Sequence, residues 1–123
     1  MAQRSLSAVA RSSGATWWGQ RRLVVEEIDL PMSGLPAGLA GMRLVQITDL
    51  HIGPQLRGPR LARFVERVNR LDPDLIAITG DIFDFDPSFI EDGCRELGKL
   101  RTRHGFYAVP GNQDVYTGPD AVC

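Results

Sequence analysis

The sequence predicts an α/β fold in which mostly parallel strands are joined by crossover helices. Short apolar runs alternate along the chain with segments in which apolar residues recur at helical spacing. From residue 42 onward the order is strand, helix, strand, helix, strand, which requires crossover connections between parallel strands. Three of the apolar runs end directly in clusters of polar residues, so these clusters should meet at one edge of the sheet.

The first 22 residues differ in composition from the rest of the chain. They contain four arginines and no acidic residue, whereas the whole chain has 14 basic and 15 acidic residues and a formal net charge of -1. We expect residues 1–22 to form a flexible tail rich in Arg, Ser and Ala, with an organelle targeting peptide or a segment beside a membrane as alternatives. We expect residues 23–123 to form one folded unit.

Two strands are predicted between residues 23 and 47. Residues 23–30 are mostly apolar and β-branched, which favours a strand. Pro31 and Gly34 then interrupt the chain and predict a loop. Residues 42–47 form the second predicted strand, which runs directly into a Thr-Asp-Leu-His sequence.

The remaining predicted elements are two helices and two strands. Residues 59–70 are predicted to form a helix, because Pro59 suits a first helical turn and apolar residues follow at spacings of three and four. The continuous apolar run at residues 75–79 is typical of a strand covered on both faces. Residues 88–102 favour a second helix, and residues 106–109 favour the last strand.

Charge and hydropathy limit the partners that we expect. The small net charge gives no reason to expect nucleic acid as the main partner. No apolar run approaches the roughly 18 residues of a membrane span, so we expect a cytoplasmic location or one peripheral to the membrane. Four arginines recur at helical spacing on the first predicted helix, and we expect a solvated face there, with contact to an anionic membrane surface as the alternative. These are Arg60, Arg63, Arg67 and Arg70.

The polar clusters after three strands carry the chemistry of this sequence. Carboxylate, imidazole and amide oxygen together suit Mn²⁺, Fe²⁺, Zn²⁺ or Mg²⁺, and the imidazole disfavours a site for Mg²⁺ or Ca²⁺ alone. The alternation of a strand places two side chains that are two residues apart on one face, so an Asp-x-His pair can hold one ion. The clusters are Asp49-Leu50-His51, Gly80-Asp81-Ile82-Phe83-Asp84 and Gly111-Asn112-Gln113-Asp114.

These three clusters, in this order, resemble the first three signature blocks of the calcineurin-like metallophosphoesterases. The segments VQITDLHIG and PDLIAITGDIFD share the family's form of a strand followed by a motif. The resemblance implies the N-terminal portion of a metallophosphoesterase domain over residues 23–123. It implies part of that family's β-sandwich with flanking helices, incomplete at the C-terminus. The implied activity is hydrolysis of phosphate mono- or diesters with two divalent metal ions and a metal-bound hydroxide as nucleophile.

The resemblance also implies roles for individual residues. Asp49 and His51 correspond to ligands of the first metal ion, and Asp81 corresponds to the carboxylate that bridges both ions. Asn112 corresponds to a ligand of the second ion that also contacts the substrate phosphate. Asp81 and Asn112 are therefore implied to take part in catalysis as well as in metal binding. The ions are expected to be Mn²⁺, Fe²⁺ or Zn²⁺.

Three further positions of the motifs have implied supporting or catalytic roles. Asp84 and Asp114 correspond to residues that orient their neighbours rather than bind metal. Gln113 stands at the catalytic position where the family usually has His. A glutamine can donate a hydrogen bond but cannot transfer a proton at neutral pH, so this departure puts acid catalysis at that position in doubt.

The second departure is the lack of the family's later histidine motifs, including a Gly-His-x-His turn. We therefore expect this sequence to be part of a longer protein. An alternative function is a catalytically impaired metal-binding or interaction module that retains the fold. A nucleotide-binding α/β domain is disfavoured, because the sequence has no GxGxxG or GxxxxGK[ST] motif. The partial sheet should leave an apolar face and an edge uncovered, which predicts association between chains.

Overall fold

The computed structural model describes residues 7–12 and 23–117, and it shows a five-stranded sheet with helices. The strands are Ser7–Ser12 (β1), Leu23–Glu26 (β2), Arg43–Thr48 (β3), Leu75–Thr79 (β4) and Phe106–Val109 (β5). Their order in the sheet is β2-β1-β3-β4-β5. Strands β1, β3, β4 and β5 run parallel to one another, and β2 pairs antiparallel with β1. The predicted α/β fold with mostly parallel strands is confirmed.

Strand β1 lies inside the segment for which we expected a flexible tail. It occupies the place between β2 and β3, so it pairs on both sides through its backbone. Backbone pairing of this kind depends little on side chains, which explains why the Ser- and Ala-rich composition gave no sign of a strand. The rest of residues 1–22, including any targeting peptide, lies outside the described residues.

Three helices accompany the sheet: α1 (Pro59–Asn69), α2 (Ile90–Leu97) and α3 (Asn112–Thr117). Helix α1 agrees with the prediction, whereas α2 is shorter than the predicted residues 88–102. A 3₁₀ turn at Pro87–Phe89 precedes α2, and the helix ends at Gly98, where the helix propensity is low. Within the described residues, no helix is long and apolar enough to cross a membrane.

The apolar core joins one face of the sheet to both longer helices. Burial alternates along the two central strands, because successive side chains point to opposite faces. The core continues into the loops that follow β3 and β4, where Leu50, Ile52 and Phe83 are fully buried. These anchors hold the loops in place beside the polar residues of the site. The sheet contributes Val45, Ile47, Ile76 and Ile78, and the helices contribute Leu61, Phe64, Val65, Val68, Ile90 and Leu97.

Candidate metal centre

Three candidate ligands from two neighbouring strands meet at the carboxyl edge of the sheet. Asp49 and His51 follow β3, and Asp81 follows β4, its parallel neighbour. One ligand atom from each of the three side chains lies within 4.8 Å of the others. Asp49 is exposed, while His51 and Asp81 are half-buried, so the group faces solvent on one side. Two carboxylates and an imidazole at this spacing fit a divalent transition metal.

The backbone at all three positions is in the left-handed region, which residues other than glycine seldom adopt. The φ angles are 52° at Asp49, 48° at His51 and 47° at Asp81. Each such residue costs about 1–2 kcal/mol relative to an ordinary conformation. The surrounding structure must therefore hold these residues firmly, as is common at functional sites. These turns change the simple picture of two side chains on one face of a straight strand.

Backbone hydrogen bonds tie the loop after β3 to the loop after β4. The amide of His51 donates to the carbonyl of Asp81 at 2.9 Å, and the amide of Ile52 donates to Ile82 at 2.8 Å. In return, the amide of Asp84 donates to the carbonyl of Ile52 at 2.9 Å. The two loops thus continue the parallel pairing of the strands beyond their ends. This pairing fixes His51 and Asp81 relative to each other.

The third polar cluster approaches Asp81 through its backbone. The amide of Gln113 donates to Oδ1 of Asp81 at 3.1 Å. Gly111 packs so closely that a Cβ atom there would overlap the carboxylate and the amide nitrogen of Asp81. Asn112 lies between these two residues at the start of α3, and its side chain is exposed. The structure therefore places Asn112 and Gln113 beside the metal-ligand group, next to Asp81.

Asp114 links the second and third polar clusters from the interior of the protein. Its side chain is fully buried. Its carboxylate accepts hydrogen bonds from the amides of Ile82 at 3.0 Å, Phe83 at 2.9 Å and Gly111 at 2.7 Å. A carboxylate with three amide donors is well satisfied in the interior. Asp114 therefore holds the Asp81 loop and the Gly111 turn together, as a supporting residue would.

Asp84 lies beside the candidate ligand His51. Its Oδ1 is 3.4 Å from Nδ1 of His51. A carboxylate at that distance favours the tautomer with hydrogen on Nδ1, which presents the lone pair on Nε2. Gly53 leaves room for this arrangement, since a Cβ atom there would overlap the side chain of Asp84.

Two contributors to the site escaped the sequence analysis. Thr48 donates from Oγ1 to Oδ2 of Asp49 at 2.7 Å, while Gly53 leaves room for Asp84 by lacking a side chain. Helix α3 was also missed, since its sequence Asn-Gln-Asp-Val-Tyr-Thr contains several weak helix formers. Asn at the start of the helix and Asp in its first turn were the available signals.

Comparisons of the sequence with known proteins identify relatives that are named metallophosphoesterases. The chain is 39% identical over 93 residues to a transmembrane protein with a metallophosphoesterase domain from Danio rerio, an alignment covering 76% of this chain and 21% of that protein. It is 28% identical over 98 residues to an uncharacterized metallophosphoesterase from Campylobacter jejuni, covering 80% of this chain and 25% of that protein.

A third relative carries a more specific name. The chain is 32% identical over 119 residues to a UDP-2,3-diacylglucosamine pyrophosphatase from Chlamydia muridarum, covering 92% of this chain and 36% of that protein. The chain thus spans about a fifth to a third of the length of these relatives. No solved structure matches. A family model for calcineurin-like phosphoesterases matches residues 42–121, a segment that includes all three polar clusters, and the chain belongs to that family.

Proposed function

We propose that this chain contributes the N-terminal half of a two-metal site that hydrolyses phosphate mono- or diesters. The observation that carries the proposal is the convergence of Asp49, His51 and Asp81, whose ligand atoms lie within 4.8 Å of one another. Membership of the calcineurin-like phosphoesterase family supports a hydrolase that acts on phosphate esters. The chain covers only part of its relatives, so the activity of the whole protein is part of the proposal.

In this proposal, Asp49 and His51 would hold one divalent ion, Asp81 would be shared by both ions, and Asn112 would help to hold the second. The ions would be Mn²⁺, Fe²⁺ or Zn²⁺, which supply Lewis acidity toward the phosphoryl oxygens and lower the pKa of bound water. The amide of Gln113 donates to Oδ1 of Asp81, which helps to set the direction of that carboxylate. Asn112 is exposed beside it and can donate from its amide group to a phosphoryl oxygen.

The supporting residues of the proposal preorganise the ligands. Oδ1 of Asp84 lies 3.4 Å from Nδ1 of His51, which orients the imidazole so that Nε2 would face the ion. The buried carboxylate of Asp114 fixes the Asp81 loop through the amides of Ile82 and Phe83, and it joins that loop to the turn at Gly111 through the Gly111 amide. Ligands that are held before metal binding lose little entropy when the ion arrives. This explains how a site on loops can still be well defined.

Gln113 favours a second candidate function, a metal-binding or interaction module with impaired catalysis. Gln113 is half-buried and its backbone amide bonds Asp81, but its side chain cannot protonate a leaving group at neutral pH. Hydrolysis of an ester with a good leaving group needs little acid assistance. Activity restricted to such esters would therefore fit an active enzyme with Gln113, and metal binding without any hydrolysis would identify the second candidate.

The test of the first candidate is hydrolysis of bis-p-nitrophenyl phosphate with added Mn²⁺. We expect activity in the natural sequence and a loss of about 100-fold or more in Asp81→Asn, because the neutral amide cannot serve as an anionic ligand. The matched control is Glu66→Gln, which removes a carboxylate on the exposed side of α1. Binding of Mn²⁺ is measured in parallel by electron paramagnetic resonance.

Equal activity in Asp81→Asn and Glu66→Gln would show that hydrolysis does not use the proposed centre. Bound Mn²⁺ without hydrolysis in the natural sequence would favour the impaired module. The same pair of measurements on a protein extended beyond residue 123 then reports whether further ligands restore turnover. Recovery of activity there would support the two-metal assignment.

A further inference from the structure

A cleft lies between two parts of the chain. One wall is formed by the loop after His51 and the beginning of α1, and the other is formed by the 3₁₀ turn before α2 and by α2 itself. Its volume is about 930 Å³. Ile52 and Leu61, both fully buried, form part of the apolar lining, and Gly93 of α2 lies across from them. Ile52 is the residue after His51 in the sequence, so the wall of the cleft is directly connected to a proposed metal ligand.

Three arginines give this cleft a positive charge. Arg57, Arg60 and Arg63 line it from the loop before α1 and from the first turns of that helix. All three are exposed, and none forms an ion pair with a carboxylate in the part of the chain that the structure describes. Arg70, in contrast, pairs with Glu66 at 3.7 Å.

The acidic residues that line the cleft are neutralised by other cations. Asp92 accepts from Arg95 at 2.7 Å, and Glu96 accepts from Lys99 at 2.6 Å. The charges of Arg57, Arg60 and Arg63 are therefore left uncompensated by these carboxylates. An anion that enters the cleft meets guanidinium groups on the α1 side, each of which offers five N–H donors.

Two contacts place the guanidinium groups at the wall of the cleft. The guanidinium of Arg57 lies 5.5 Å from the centre of the Phe89 ring, within the range of a cation–π interaction. Nη1 of Arg60 donates to the carbonyl of Gln55 at 3.2 Å, in the loop that forms the entrance. Each arginine keeps further donors for a ligand, and arginine matches the geometry of phosphate oxygens through paired donors.

We propose that this cleft binds a second phosphate group of the substrate, while the scissile phosphate occupies the metal centre. The inference rests on the proposed function, and it names the substrate class as phosphate esters that carry another phosphate. The half-buried ring of Phe89 in the lining offers an apolar surface to an uncharged organic part between the two phosphates. Simple esters with one phosphate would be hydrolysed but would gain nothing from the arginines.

A direct test measures binding of inorganic pyrophosphate by isothermal titration calorimetry in the presence of EDTA. Without divalent ions the metal centre contributes nothing, so the result is independent of hydrolysis. In the double variant Arg57→Gln with Arg60→Gln, we expect the dissociation constant to rise about 10-fold, as is typical for the loss of charged hydrogen bonds. The control is Arg67→Gln with Arg70→Gln, which removes the same charge at the C-terminal end of α1, outside the cleft.

The control should change the dissociation constant less than about 2-fold, since exposed charges outside the site act only through a screened field. Equal weakening in both double variants would overturn the proposal, because general attraction would then explain binding. Absence of saturable binding in the natural sequence would overturn it as well. Binding to vesicles of phosphatidylcholine and phosphatidic acid, without binding of soluble pyrophosphate, would replace the cleft by a membrane-contact surface.

A kinetic measurement separates this inference from the proposed function. With Mn²⁺ present, the cleft variant should raise KM for fructose 1,6-bisphosphate about 10-fold. Its KM and kcat for bis-p-nitrophenyl phosphate should match those of the natural sequence, because that ester has one phosphate. Equal effects on both substrates would contradict the subsite. A failure to hydrolyse either ester would count against the proposed function and leave the calorimetric result standing.

Discussion

Individual residues of the centre are held by hydrogen bonds from the backbone more than by packing. Asp49, His51 and Asp81 carry left-handed backbone angles, and amides or carbonyls of the neighbouring loop bind at each position. Strain of about 1–3 kcal/mol per residue persists only where the surroundings fix the conformation. Asp114 supplies much of that support, because it accepts hydrogen bonds from the amides of the two residues after Asp81 and from the amide of Gly111.

Replacement of Asp114 by Asn should destabilise the fold and weaken metal binding together. The amide nitrogen of Asn cannot accept a hydrogen bond, so at least one buried amide among Ile82, Phe83 and Gly111 would lose its partner. We expect the free energy of unfolding to fall by about 2–3 kcal/mol, measured from the urea midpoint. The affinity for Mn²⁺ should fall as well, because the Gly111 turn is no longer held against Asp81.

The control is Glu27→Gln, which changes an exposed carboxylate distant from Asp114 in the sequence. We expect this variant to change the free energy of unfolding by less than about 0.5 kcal/mol. An unchanged urea midpoint in Asp114→Asn would show that the buried carboxylate is not needed for the fold. A lower midpoint with unchanged affinity for Mn²⁺ would separate the stability of the loop from the geometry of the centre.

At the scale of the elements, Asp74 makes a junction at the end of the sheet opposite the metal centre. It joins the start of β3 to the segment between α2 and β5. The amide of Arg43 at the start of β3 donates to Oδ2 of Asp74 at 2.7 Å, and Arg103 donates to Oδ1 at 2.8 Å. The hydrogen bond from the Arg43 amide is the main cause that lowers the pKa of Asp74 from its ordinary value of 3.8, and the charge of Arg103 adds to it, while burial opposes both.

A lowered pKa in the folded state makes stability depend on pH in a defined direction. The ionised carboxylate of Asp74 stabilises the fold fully above its ordinary pKa of 3.8. This contribution is lost as the pH falls through the lowered pKa. In Asp74→Asn we expect the free energy of unfolding at pH 7 to fall by about 1–2 kcal/mol. As the pH is lowered below 4, the free energy of unfolding of the variant should therefore fall less than that of the natural sequence.

Asp72→Asn is the matched control, because Asp72 bonds the same guanidinium at 2.9 Å with a side chain that is 69% exposed, against 12% for Asp74. Surface ion pairs of this kind contribute little. Urea titrations at several pH values give the comparison. Parallel pH profiles of the natural sequence and Asp74→Asn would refute the linkage to Asp74.

The sequence was sufficient to predict the elements that have a strong apolar period. In helix α1 the buried residues follow the apolar period. Strand β4 forms where it was predicted, but only Ile76 and Ile78 on one of its faces are fully buried, so the expected cover on both faces is not observed. The end of α2 at Gly98 has a local cause, the low helix propensity of glycine, and the prediction extended the helix too far. The presence of β1 and α3 could not be predicted, because these elements depend on partners distant in the chain. The amide of Gln113 at the start of α3, for example, bonds a carboxylate 32 residues away. The three candidate ligands were predictable from the chemistry at the strand ends, whereas their left-handed backbone was not.

Considered as a whole, the molecule has one sheet face that the helices protect and one that is only partly covered. Strand β5 is an edge strand whose four residues are all exposed. In the register, Tyr107 lies beside Ala77 and Val109 beside Thr79, so these side chains share the face opposite the buried Ile76 and Ile78. An edge strand with exposed apolar residues favours pairing with another chain.

We therefore expect self-association that depends on β5. Tyr107 is 64% and Val109 is 56% exposed, and replacing both by Lys adds charge at the edge and on the uncovered face. The dissociation constant from sedimentation equilibrium should rise about 10-fold or more in this double variant. The control replaces Ile28 and Leu30 by Lys, two residues of similar exposure (44% and 48%) that lie outside the strands. A natural sequence that sediments as a monomer at all concentrations would contradict the expectation. An equal effect of the control pair would show that general apolar exposure, rather than β5, drives association.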